Sequence, residues 1–133
     1  LTENFIDPLP KTYKECCEIL GIEEDLSLVY ENIDGKRINP ATISNYRIRR
    51  LKLQHIMDKL FICRDAYWRV YKNWKPDNNR TKYYISTNSG KASIEKTVSK
   101  CEFLLCFPTE RICQIFYENF EELINEWVSL AVV

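Results

Sequence analysis

Along the chain the spacing of apolar positions switches between the helical and the strand period, and the switches fall at turn signals. In TYKECCEILG, Tyr13, Cys16, Cys17 and Leu20 recur at helical intervals, which predicts a helix over about 12–20. Thr12 with Glu15 three residues later is a capping-box pattern, in which the two side chains take up free amides at a helix start. Gly21 supplies the stop, because glycine enters the left-handed conformation without a Cβ penalty. Residues 22–38 are less regular. LSLVY reads as a short strand or a turn of helix, and NIDGKR as a turn built on Asp34-Gly35.

Asn39 and Pro40 have the form of an N-cap followed by a first helical proline. From there to about 72 neither glycine nor proline interrupts the chain. Ile43, Tyr46, Leu53, Ile56, Met57, Leu60, Tyr67 and Tyr71 fall on or near one helical stripe, which Leu51, Phe61 and Trp68 widen. A helix over 40–72 is therefore expected, long enough for a bend inside it. Pro76 ends the helical period, since the residue before proline is pushed out of helical geometry.

Beyond the KPDNN turn the period becomes two. KYYIST predicts a strand at 82–87, NSG a hairpin, and KASIEKTV a second strand at 91–98. CEFLLCF predicts a third at 101–107, with Phe103, Leu105 and Phe107 on one face and Leu104 and Cys106 on the other, so that both faces need cover. After Pro108-Thr109, Ile112, Ile115, Phe116, Phe120, Leu123, Ile124 and Trp127 restore the helical stripe over 109–129. The expected architecture is a single α+β domain over 1–133, its helices packed on one face of a small three-stranded antiparallel meander.

Composition agrees with a globular domain: 45% hydrophobic, 29% charged and 13% aromatic residues, with few glycines. No apolar run approaches the length of a membrane-spanning helix, and LTENFIDPLP lacks the pattern of a signal peptide. The six cysteines are read as reduced, mostly buried thiols, in a chain long enough to fold without disulfides. The expected location is the cytoplasm, with no membrane partner.

Net charge is zero, but it is sorted along the chain. Residues 1–35 carry two lysines against nine acids, residues 36–82 thirteen Lys and Arg against three Asp, and residues 83–133 four bases against seven Glu. The basic middle contains WRVYKNWKPDNNRTKYYI, in which two tryptophans and three tyrosines interleave with five bases. Bases neutralise phosphates, and exposed aromatics stack on unpaired bases. The candidate nucleic-acid contacts are Arg47, Arg49, Arg50, Lys52, Lys59, Trp74 and Arg80. Against this stands internal pairing, because the acidic ends are available to pack beside the basic helix.

Patterns for chemistry are sparse. His55 is the lone histidine and lies mid-helix without a sequence-marked nucleophile or carboxylate. Cys101, Cys106 and Cys113 lack the spacing of a zinc site, and the scarcity of glycine excludes phosphate-binding loops. Neither a metal nor a cofactor is expected, and catalysis is not.

YKECCEILGI, NWKPDNNRTKYYI and FLLCFPTERICQIFYENFEELI, in that order around a long helix, resemble a group of small uncharacterised proteins of gut Bacteroides-type bacteria and their phages or mobile elements. The Pro76-Asp77 turn, the Lys82-Tyr83 pair and the Phe107-to-Glu110 junction carry the likeness, while Asn78 departs from it. The resemblance implies habitat and fold, and no functional residue. The leading expectation is thus a non-enzymatic module that binds nucleic acid or nucleoprotein weakly. The alternative is a protein–protein adaptor or a homo-oligomer.

Overall fold

The structure, a computed structural model, describes residues 9–24, 45–77, 79–88, 90–99 and 105–131. Among these, four helices and a three-stranded antiparallel sheet make an α+β fold: α1 Tyr13–Leu20, α2 Asn45–Val70, β1 Lys82–Asn88, β2 Lys91–Thr97, β3 Cys106–Phe107, α3 Glu110–Asn119 and α4 Glu121–Ala131. The LSLVY segment, the Asp34-Gly35 turn, the Asn39-Pro40 helix start and positions 101–104 of the expected third strand lie outside the described residues.

The cap of α1 forms as its sequence demands. Glu15 N donates to Thr12 Oγ1 at 3.2 Å, and Glu15 Oε2 accepts from Lys11 N at 3.3 Å, one residue before the usual partner. Gly21 closes the helix at φ 70°. The hairpin also forms as expected: pairing runs from Lys82↔Thr97 to Asn88↔Lys91, and Gly90 turns the chain at φ 77°.

Two features depart from expectation. The strand order is β2-β1-β3, so the third strand pairs with β1 rather than continuing as a meander beside β2. β2 exposes Lys91, Ser93, Glu95 and Lys96, a charged edge that discourages further pairing. β3, apolar on both sides, lies instead against β1 and α3, where Leu105, Cys106 and Phe107 are all buried. The helix expected over 109–129 is two helices. Phe120 leaves helical geometry at φ −118°, ψ 27°, and is buried against Phe116 and Tyr67. Glu121 and Glu122 then open a new first turn, where their charge favours the amide end of a helix. The break lets α3 cover β1 and β3 while α4 turns to α2 and β2.

Tyr67 of α2 stands at the centre. Its ring meets Phe107, Phe116 and Phe120 edge-on, at centroid distances of 5.9, 5.0 and 6.0 Å. Its hydroxyl donates to the Pro10 carbonyl at 2.8 Å and accepts from Asn119 Nδ2 at 3.0 Å. One side chain thereby joins the lead into α1, the α3–α4 break and the sheet. Ile56, Leu60, Cys63, Ile85, Ile112, Ile124 and Val128 fill the core around it. α1 flanks α2 on one side and α4 on another.

Candidate nucleic-acid interface

The seven residues singled out in the sequence do not form one surface. From Arg47 to Val70, α2 rises about 35 Å, so the bases of its first turns lie far from the aromatic turn that follows it.

Arg47 and Arg50 are exposed near the start of α2. Arg49 between them faces the other way, because it is in register with the buried stripe Ile56, Leu60, Cys63 and Tyr67. Its Nε donates to the Leu130 carbonyl and its Nη2 to the Ser129 carbonyl, each at 3.1 Å. The guanidinium thus occupies the C-terminal end of α4, where carbonyls lack helical partners and the helix dipole favours a cation. That register was the signal in the sequence. A base seven residues before a buried position, on the same stripe, is held by the fold.

Lys52 and Lys59 share a flank of α2 and, with His55, line a hollow of about 430 Å³ against Leu123, Glu126 and Leu130 of α4. His55 and Lys59 also line a second hollow, of about 370 Å³, with Glu23, Asp58 and Asp65. Lys59 Nζ lies 5.1 Å from the centre of the Tyr13 ring. Carboxylates therefore stand beside the bases through the middle of α2. Further along, Arg64 is buried with its guanidinium 4.1 Å from the Trp68 ring centre and 4.6 Å from that of Phe61, and it bonds to Asp65 at 2.8 Å. Arg69 donates to the Ile19 carbonyl at the end of α1.

The junction between α2 and β1 is different. Lys72 and Asn73 both adopt left-handed backbone, at φ 54° and 56°. Asparagine tolerates this conformation and lysine does so at a cost of about 1 kcal/mol, so the surrounding contacts must hold it. The reversal folds the chain back, and Trp74 N donates to the Trp68 carbonyl at 2.9 Å and to that of Tyr71 at 3.0 Å. The two indoles meet edge to face at 5.4 Å. Trp68 is fixed to the sheet, its Nε1 donating to the Cys106 carbonyl at 2.7 Å. Trp74, half-buried, is left as a wall of two hollows.

One hollow, of about 480 Å³, lies on the α1 side and is lined by Leu20, Asp65, Trp68, Arg69 and Lys75. The other, of about 310 Å³, lies on the sheet side and is lined by Tyr71, Trp74, Lys75, Asp77, Arg80 and Lys82, among others. Arg80 extends into solvent with its Nε 3.8 Å from Asp77 Oδ2. Lys82 is 1% exposed, and its ammonium donates to the carbonyls of Asp77 and Val98. Among the described residues, three cations line this hollow with one carboxylate. Of the seven candidates, the fold brings Trp74 and Arg80 to this hollow and Lys52 and Lys59 to the one against α4. Tyr71, Lys75 and Lys82 join Trp74 and Arg80; the sequence placed Tyr71 on the apolar stripe of the long helix and the two lysines beside the turn.

Among the described residues no group of three or more His, Cys, Asp or Glu could hold a metal ion, and no helix is long and apolar enough to cross a membrane. No protein-family model matches the chain, and neither a curated protein nor a solved structure is significantly similar to it.

Proposed function

We propose that the protein is a non-enzymatic module that binds single-stranded nucleic acid weakly, through the α2–β1 junction. The observation that carries this reading is the convergence of Trp74 and Tyr71 with Lys75, Arg80 and Lys82 around one hollow. A half-exposed indole offers a base a stacking face worth about 1–3 kcal/mol, and the adjacent cations offer contacts to the phosphates on either side. Arg47 and Arg50, at the far end of α2, serve a longer strand as secondary contacts. Arg49 is assigned to the fold. Lys52 and Lys59 line a hollow shared with Glu126, whose charge offsets part of theirs towards a phosphate. A cytoplasmic location goes with this reading and with the burial of Cys16, Cys17, Cys63 and Cys113.

A protein–protein adaptor or a homo-oligomer would use the wide apolar stripe of α2, from Leu51 to Trp68. α1 and α4 account for part of that width, packing on α2 from two sides. The nucleic-acid reading therefore takes precedence.

Intrinsic fluorescence tests it. Addition of a short single-stranded oligonucleotide at low salt should quench tryptophan emission saturably. Trp74→Leu should remove most of the quenching, leaving Trp68 and Trp127 unaffected. A wild-type protein whose emission and mobility ignore every oligonucleotide would refute the proposal.

A further inference from the structure

We infer that the hollow on the sheet side of the junction takes a terminal phosphate monoester, the phosphorylated end of a single strand. This rests on the nucleic-acid reading and narrows it. At about 310 Å³ the hollow is at the small end of ligand cavities, which run from roughly 300 to 1,000 Å³ and more. One nucleotide unit fits it, and a run of several does not.

Its charge selects the kind of phosphate. Among the described lining residues Lys75, Arg80 and Lys82 stand against one carboxylate, Asp77, which is already engaged by Asn79 N at 2.6 Å and faced by Arg80. Two positive charges are thus in excess. An internal phosphodiester brings one negative charge, whereas a monoester brings about −1.5 to −2 near neutral pH, together with three acceptor oxygens. The monoester is the better match.

Lys82 makes the same point independently. Burying an ammonium is costly unless an opposite charge accompanies it. Here the two acceptors are the neutral carbonyls of Asp77 and Val98, and the third of the three N–H donors has no acceptor among the described residues. A phosphate in the hollow brings the ammonium a negative charge that these two carbonyls do not. Tyr71 and Trp74, beside the cations, then meet the base attached to that phosphate, which favours a nucleotide end over an inorganic ion.

Competition against a labelled single-stranded DNA distinguishes the cases, with unlabelled strands of one sequence ending in a 5′-phosphate, a 3′-phosphate or hydroxyls only. One phosphorylated end should compete about tenfold better than the hydroxyl-ended strand, the gain of a charge-assisted contact. That advantage should vanish in the double variant Lys75→Ala, Arg80→Ala, whose altered side chains are both on the surface. Circular dichroism checks that the fold is retained. Equal competition by all ends would overturn the inference and leave the nucleic-acid reading standing. If no strand bound at all, both would fall. A nucleoside monophosphate or inorganic phosphate that competed as well as the phosphorylated strand would overturn the strand end, assigning the hollow to a free ligand.

Discussion

Arg49 donates from Nε to the carbonyl oxygen of Leu130 at 3.1 Å, tying the first turns of α2 to the last turn of α4 across 81 residues of sequence. Removing this cation leaves two carbonyls of a helix end without their partner. Arg49→Ala should destabilise the protein by about 1–2 kcal/mol, and Arg49→Lys, which keeps the charge but loses the planar fork, by roughly half as much. Urea unfolding at neutral pH measures both. A stability unchanged in Arg49→Ala would remove this role.

Tyr67 carries a larger share of the core. Tyr67→Phe keeps the ring contacts but deprives the Pro10 carbonyl and the Asn119 amide of their partner. A loss of about 1–3 kcal/mol is expected, because an orphaned buried polar group costs its full desolvation. Asn119→Ala combined with Tyr67→Phe should cost less than the sum of the single changes, which a double-mutant cycle would reveal.

Alkaline pH should weaken the fold through its thiols. Burial, reinforced by Glu110, pushes the Cys113 thiol from 9.0 up to about 12. Cys63 is also raised, first by its hydrogen bond with Cys16 and then by burial. In the native state these groups keep protons that the unfolded chain releases, so the unfolded state binds fewer protons in this window. Their contribution is fully present below about pH 9 and is lost as pH rises towards the folded values. Urea midpoints should fall between about pH 8 and about pH 11, and Cys113→Ala should flatten part of that fall. A midpoint constant over this range would contradict it.

The two tryptophans of the junction should separate stability from binding. Trp68→Phe loses the bond to the Cys106 carbonyl and weakens the contact with Arg64, at a cost of about 1–3 kcal/mol of stability. Trp74→Ala should affect stability less but lower affinity for a single strand about tenfold. Parallel unfolding and binding curves check the contrast. Equal effects on both properties in both variants would mean that Trp74 serves only the fold.

Local signals in the sequence were the legible part. Thr12 and Glu15 mark the start of α1, Gly21 its end, and Asn88-Ser89-Gly90 the hairpin, because each depends on the chemistry of a few adjacent residues. The break at Phe120 was hidden, since no proline or glycine marks it and the apolar stripe runs through it unbroken. What interrupts the helix is tertiary: Phe120 and Asn119 are claimed by Tyr67. The pairing of β3 with β1 was hidden for the same reason, being decided by which strand offers cover for two apolar faces. At the site, the excess of basic charge in the middle of the chain was visible, but its partition was not. Arg49 turns inward to the end of α4, Lys52 and Lys59 line a hollow shared with Glu126, and Trp74 and Arg80 line another with Lys75, Lys82 and Asp77.

The most direct test is the anisotropy of a labelled single-stranded DNA titrated with the protein over a series of salt concentrations. The account predicts binding at low salt, with log affinity falling against log salt at a slope of about −2, the release expected from three phosphate contacts. It also predicts that Arg80→Ala makes that slope shallower by about 0.7. No binding at low salt, or binding whose slope is untouched by Arg80→Ala and whose affinity is untouched by Trp74→Ala, would contradict the assignment of the α2–β1 junction.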